Sequence, residues 1–188
     1  MEIATKRLVL REFTAEDLDA VHAYAADPTV CAFVEWGPNT IEETAAFLRQ
    51  CRDERWAQPR VTVTLAVMRH SIVIGSIALM LADSDLVRGT GEAEIGYVLR
   101  ADAWGYGYAA ETAAAMLELA RNGLGITRVV ASCRPENLAS VRVLEKIGMQ
   151  QIDYLRGHKR IDGEARDSVV FASCLPDGDA ASTSAREA

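Results

Sequence analysis

Two stretches of this chain hold residue types at a spacing that could do chemistry. The first is Glu92-Ala93-Glu94-Ile95-Gly96-Tyr97-Val98-Leu99, whose β-branched and aromatic content and alternation predict a strand. A period of two puts Glu92, Glu94, Gly96 and Val98 on one face and Ala93, Ile95, Tyr97 and Leu99 on the other. Glu94 therefore stands in line with a glycine that clears space, where a carboxylate can take a proton from a cationic group directly or through water. Glu92, near the strand start, is the weaker rival. The competing reading makes Glu94 an ordinary half-exposed strand residue paired with an arginine.

The second stretch is Trp104-Gly105-Tyr106-Gly107-Tyr108-Ala109-Ala110-Glu111. It joins that strand to an alanine-rich helix on which Ala113, Met116, Leu117 and Ala120 form one apolar stripe and Asn122-Gly123 supplies a stop. Two glycines spaced i and i+2 let backbone N–H groups approach an anion. The first helical turn adds unpaired donors and a partial positive charge of about half a unit. Such a junction can hold a phosphate without any charged side chain.

These residues must be positioned by a fold of modest size. The chain has 188 residues, enough for one domain that buries its apolar surface without disulfides or metal. Cys31, Cys51, Cys133 and Cys174 are scattered with no CxxC or Cys/His cluster, which indicates reduced thiols and no metal site. The N terminus lacks the apolar core of a signal peptide and no stretch approaches a membrane span, so a soluble cytoplasmic protein without membrane partners is expected. A formal charge of −7 disfavours broad nucleic-acid binding and mildly favours a cationic amine.

Arg7 to Arg11 reads as a first strand, and Thr14 to Asp17 as the capped start of a helix reaching about Ala26. Asp27-Pro28 ends it, and a second helix runs from about Glu42 to Trp56. Val61 to Met68 and Ile72 to Leu81 are strands joined by a tight turn at Arg69-His70-Ser71; with the Glu92 strand they form an antiparallel meander. After the glycine turn and its helix come a strand at Arg128 to Cys133, a short helix from Leu138 to Lys146 and two strands near Gln151–Leu155 and Asp167–Ser173. The expected fold class is α/β (α+β): a single domain over 1–175 with a mixed, mostly antiparallel sheet and helices on both faces. From Pro176 the chain is small and polar, and 176–188 reads as a disordered tail.

The combination of EIGYxL, WGxGxAxE and Asn137-Leu138-Ala139-Ser140-Val141-Arg142-Val143-Leu144-Glu145-Lys146-Ile147-Gly148-Met149 resembles the GNAT superfamily of acyl-CoA-dependent N-acetyltransferases, most closely its Rim-type branch, which includes enzymes acting on protein N termini. The resemblance runs from about Thr5 to Leu175. It implies transfer of an acetyl group from acetyl-CoA, as co-substrate and without metal, to a primary amine. It gives Glu94 the role of base. The pantetheine arm would add to the strand at Val98, Leu99 and Arg100, with the Val98 N–H polarising the thioester carbonyl if the strand splays as in the family. Trp104, Gly105, Tyr106, Gly107, Tyr108 and Ala109 would cradle the pyrophosphate, and Asn137 and Ser140 would meet the pantetheine and the thioester sulfur.

There are two departures. The family's loop often begins with glutamine or arginine where this chain has Asp102, so phosphate binding rests on backbone amides and Arg100. A tyrosine general acid common in relatives is replaced by Leu144, which makes Ser140 the preferred leaving-group partner. Asn137 and Ser140 have a purely local reading too, as cap and first turn of a helix. The acceptor lip is assigned to Phe33, Glu35 and Trp36, and to His158, which falls between the last two strands where related enzymes line that site.

With no cysteine placed as nucleophile, direct attack in a ternary complex is expected. An α-amine, with a pKa of about 7.7–8.0, is already partly neutral near pH 7 whereas a lysine near 10.4 is not, which suits a peptide N terminus. A small amine such as an amino acid or aminoglycoside, drawn by Glu35, Glu42 and Glu43, is the alternative acceptor; a non-catalytic acyl-CoA sensor is the alternative outside enzymes. A nucleotide site is disfavoured by the absence of a Lys-Ser/Thr pair or third glycine. The chain would act as a monomer or homodimer.

Overall fold

Eight strands form one sheet in the order β1-β2-β3-β4-β5-β6-β8-β7. They are β1 (Glu2–Ala4), β2 (Val9–Arg11), β3 (Thr62–Arg69), β4 (Ile72–Met80), β5 (Glu92–Leu99), β6 (Arg128–Cys133), β7 (Gln150–Ile161) and β8 (Glu164–Cys174). The computed structural model describes residues 1–161 and 163–174, and the tail expected over 176–188 lies outside the described residues. All neighbours pair antiparallel except β5 and β6. That exception follows from the connection: a 17-residue helix, α4 (Tyr108–Leu124), carries the chain back over the sheet before β6 begins.

The helices α1 (Leu18–Ala25), α2 (Pro28–Cys31) and α3 (Ile41–Glu54) cover one face, and α4 and α5 (Leu138–Lys146) the other. Each face has its own core. Ile95 and Leu99 from β5 pack with Met116, Leu117, Ala120 and Leu144 of α4 and α5. On the opposite face Val21, Tyr24, Leu48 and Ala66 pack together. Two-sided burial explains why β3 to β5 read as near-continuous apolar runs.

Several boundaries differ from the sequence expectation. Helix α4 does not stop at Asn122-Gly123; it runs to Leu124 and closes at Gly125, whose φ of 65° is the left-handed conformation that a C-terminal stop requires. The last two strands are much longer than expected and form a hairpin from Gln150 to Cys174, so His158 lies within a strand and not between two. The opening strand is a small hairpin, β1 with β2. Asp27 both follows α1 and caps α2, its carboxylate accepting from the Thr29 amide.

The β5–β6 ladder matters most for the site. It holds for only three residue pairs, Glu92↔Arg128 to Glu94↔Val130, although β5 continues to Leu99 and β6 to Cys133. Beyond Glu94 the two strands leave an open edge between them.

Candidate active site

A cavity of about 990 Å³ fills this opening, lined by residues of β5 and β6, the start of α5, the Ala82–Asp85 segment and the Phe33–Trp36 segment. Glu94, Gly96, Val98, Asn137 and Ser140 all face it, together with Phe33, Glu35 and Trp36. Eight of the residues singled out from sequence thus converge from three separate parts of the chain. His158 is not among the lining residues, but its neighbour Lys159 is.

Glu94 is 9% exposed, and both carboxylate oxygens are held by serines: Ser84 Oγ donates to Oε2 at 2.6 Å and Ser132 Oγ to Oε1 at 3.0 Å. Neither serine was a sequence candidate; only the fold brings residues ten and thirty-eight positions away onto this carboxylate. The arginine pairing belongs to Glu92 instead, whose Oε1 lies 3.0 Å from Arg128 Nη1 while Oε2 accepts from the Arg88 amide. That amide, with Arg128 behind it, holds the Glu92 carboxyl below its usual range against a smaller opposing effect of burial. Glu92 does not line the cavity and is removed as a rival base.

The strand register corrects the expected carbonyl donor. Arg100 N donates to Ile74 O, and β4 pairs with β5 without a break from Gly75↔Leu99 to Met80↔Glu94. Alternation then turns the Val98 amide toward Ser76 in the ladder. The groups left on the open edge are those of Tyr97 and Leu99. The Leu99 carbonyl accepts from Trp104 Nε1 at 2.9 Å, which pins the indole of the glycine turn to the end of β5.

In that turn Gly105 and Gly107 have φ of 81° and 78°, and Gly107 sits at the N-cap of α4 without a capping side chain. The first amides of a long helix are therefore free to meet an anion. Arg100 is taken by Asp102, at 3.1 and 2.8 Å, and does not point a free charge at the turn. Other cations do. A Cβ placed on Gly107 would lie 3.7 Å from Arg7 Nη2 and 3.8 Å from Lys146 Nζ. Arg7 is anchored by Glu111 at 2.7 Å and by the Tyr106 carbonyl at 2.9 Å, with its guanidinium over the Tyr108 ring. Sequence reasoning missed Arg7 and Lys146; the LEKxG spacing that sets Lys146 at the end of α5 was the one local signal. The turn fits a pyrophosphate by geometry and by charge.

On the α5 side, Asn137 Oδ1 accepts from the Ser140 amide, so the capping role is real, and both side chains still border the cavity. Leu144 is buried and also borders the cavity. A phenol is nonetheless present: Tyr97 OH reaches the Ser140 carbonyl at 3.4 Å, and burial pushes it above its ordinary range, keeping it protonated. Cys133 also borders the cavity, but burial pushes its thiol up to about 11, so it is not a thiolate near neutral pH.

At the opposite mouth, Asp85 ties the segment before β5 to β7. Its Oδ2 is 3.0 Å from His158 Nε2, Lys159 Nζ lies 3.1 Å from both oxygens, and Lys159 also approaches Glu35 at 3.8 Å. His158 Nδ1 is 2.7 Å from Ser168 Oγ. Burial opposes the charge on Asp85, but Lys159 and then His158 prevail and hold its carboxyl below the usual range. His158 thus positions a wall of the cavity from behind. Among the described residues no helix is long and apolar enough to cross a membrane, and no group of three or more His, Cys, Asp or Glu side chains is placed to share a metal ion.

Comparison with known proteins agrees with this geometry. Residues 7–150 match the family model described as an acetyltransferase (GNAT) domain. The uncharacterized N-acetyltransferase YnaD of Bacillus subtilis is 31% identical over 156 residues, 83% of this chain and 86% of that protein. The crystal structure of a GNAT-family acetyltransferase from Bacillus anthracis superposes with a TM-score of 0.80 at 30% identity, over 93% of this chain and 98% of that one. RimL, the ribosomal L7/L12 alpha-N-protein acetyltransferase in complex with coenzyme A, shares the fold at a TM-score of 0.79 and 20% identity, with 93% and 98% covered. An open strand edge, a glycine turn and a matching family model all lead to one reading: this chain belongs to the GNAT acetyltransferase family and is an acetyl-CoA-dependent N-acetyltransferase.

Proposed function

We propose that the chain acetylates a primary amine, with a peptide or protein N terminus as the acceptor, by direct attack within a ternary complex. The observation that carries this reading is Glu94, a buried carboxylate fixed by two hydroxyls at the point where β5 and β6 part. Acetyl-CoA supplies the activated thioester; the protein's own groups do the rest.

The amides of Gly105 to Ala109 bind the pyrophosphate, assisted by Lys146, while Asn137 and the open-edge groups of Tyr97 and Leu99 hold the pantetheine arm. The Tyr97 N–H, the first free donor beyond the β5–β6 ladder, polarises the thioester carbonyl. Glu94 accepts the amine proton directly or across Ser84 or Ser132, whose hydroxyls can pass it on. Ser140 attends the departing thiolate, with the protonated Tyr97 phenol beside it. The raised Cys133 thiol supports transfer without an acyl-enzyme. Phe33, Glu35 and Trp36 form the acceptor lip.

The test is acetyl transfer to short peptides with a free or blocked α-amine, each with and without a lysine, using native protein and Glu94→Gln. Native protein is expected to require the free α-amine. Glu94→Gln should lose about 10²–10⁴-fold in kcat while acetyl-CoA affinity by calorimetry stays within about twofold. Equal rates in the two proteins would remove Glu94 as the base, and turnover on lysine with the α-amine blocked would remove the N-terminal acceptor.

A further inference from the structure

Arg134 is a buried cation that no step above uses. It stands one residue beyond β6, is 4% exposed, and lines the cavity between Cys133 and Asn137. Among the described residues nothing accepts a hydrogen bond from its buried Nε and Nη1, and no carboxylate forms an ion pair with it. The other cation of the cavity wall, Lys159, already has Asp85 and Glu35. Arginine keeps its charge throughout the accessible pH range, and a buried charge without a partner carries a heavy desolvation penalty. An anion arriving in the cavity would relieve it.

Arg134 follows directly on the strand that carries one of the serines holding Glu94. Ala131 and Cys133 turn into the core beneath α4 and α5, whereas Ser132 turns the other way, onto Glu94 at 3.0 Å. Arg134 is two residues past Ser132, in the turn where its carbonyl accepts from the Asn137 amide at 2.9 Å. Glu94, Ser132 and Arg134 all line the one cavity in which acceptor amine and thioester must meet.

We propose that Arg134 binds a carboxylate of the acceptor, so that the acceptor carries an acid group close to its reactive amine. The inference rests on the acetyl-transfer reading and names the substrate class of that same site. Glu94 takes the amine and Arg134 the carboxylate; the guanidinium charge is delocalised, so an anion at its open edge neutralises the whole group, and its planar fork matches two carboxylate oxygens. The carboxylate can belong to a free amino acid or to an acidic first residue of a peptide. A departing thiolate is the other anion formed in the cavity, and the experiment separates it.

Rates are measured with pairs that differ only in the acid group: α-amino acids against their amides, and peptides beginning with Asp or Glu against those beginning with Asn or Gln. Native protein, Arg134→Gln and Arg134→Lys are compared, with acetyl-CoA affinity followed by calorimetry. In one of the two sets native kcat/KM should favour the acid by at least about tenfold. The ratio should fall to about one in Arg134→Gln, through KM, and be partly kept in Arg134→Lys. The set that discriminates identifies the source of the carboxylate. Arg134→Gln should also be no less stable than native without substrate, since it removes an unpaired buried charge, and a stabilising structural role would give the opposite. Equal rates within both sets overturn the proposal, as does an Arg134→Gln that slows every acceptor by the same factor, the result expected of a thiolate partner. If none of these acceptors turns over, the same pairs are read by thermal shift of the CoA-loaded protein, where no shift specific to the acid member overturns it equally. Absence of acetyl-CoA binding would instead defeat the transferase reading as a whole.

Discussion

Replacing Gly75 by alanine should damage both the fold and the cofactor site, although Gly75 carries no chemistry and lies outside the cavity lining. Its backbone is not in the left-handed region, so alanine is conformationally acceptable and the penalty is steric. An added Cβ would run into the Val98 carbonyl oxygen and come within 2.6 Å of Leu99 Cδ2 and 2.9 Å of Leu99 Cα. Two of the three obstacles are backbone and cannot rotate away, so β4 and β5 must part at Gly75↔Leu99. Overpacking of this kind costs about 1–3 kcal/mol, which for a chain of this length lowers Tm by about 2–12 °C. The displaced segment holds the Tyr97 and Leu99 groups assigned to the pantetheine arm, so KM for acetyl-CoA should rise by about tenfold while the acceptor KM changes less. Gly96→Ala is the control: its Cβ meets only Met80 Cε, at 3.6 Å, so stability should hold within about 0.5 kcal/mol while turnover drops because the methyl enters the cavity beside Glu94. Urea denaturation and initial-rate kinetics on the two variants decide the matter. A Gly75→Ala protein as stable as native, with unchanged acetyl-CoA KM, would refute the steric argument and the placing of the cofactor on that edge.

Lys146→Met should weaken acetyl-CoA binding about three- to tenfold and flatten its salt dependence, read by calorimetry at two ionic strengths; an unchanged slope would leave the glycine turn to its amides alone. Ser140→Ala and Tyr97→Phe compare the two groups beside the departing sulfur: the variant that serves as proton donor should lose about 10²-fold in kcat with acetyl-CoA affinity kept, and two near-native variants would show that the thiolate leaves unassisted. Acid should loosen the α1 end of the fold. Burial opposes the charge on Asp17, but Arg11, at 2.7 Å from each oxygen, and the Thr14 amide hold its carboxyl below the ordinary value. A lowered carboxyl stabilises the fold above its unfolded pKa, so this contribution is complete above about pH 5 and is lost as pH falls below about 4. Denaturation between pH 3 and 7 should show Arg11→Met losing stability at neutral pH and converging on native at the acid end; parallel curves would contradict the coupling.

The local elements were legible because their signals are local. Strand alternation over Glu92 to Leu99, the glycines of the turn, the Asn137 cap and the meander of three strands each depend on residues close in sequence, and the resemblance of the three motifs to the family extended them to a fold. The helix end at Gly125 was misplaced at Asn122-Gly123 because a glycine ends a helix only where the chain takes up positive φ, which is decided by packing. The long β7–β8 hairpin was underread because its exposed strand, with Asp153, Arg156, Lys159 and Arg160, does not alternate.

What the sequence by itself determined is a strand, a glycine turn and a helix N-terminus able to take up a phosphate, with a glutamate on the strand facing space cleared by a glycine. Tertiary structure alone decided which carboxylate is buried and which is spent on an arginine, that Ser84 and Ser132 hold Glu94, that the Val98 amide is consumed by β4, and that Arg134 is enclosed without a counter-charge among the described residues. The reason is physical. Periodicity fixes the face on which a side chain lies, but the partners of a buried polar group come from strands far apart in the chain, and the divergence of β5 from β6 that opens the site is a property of the whole sheet.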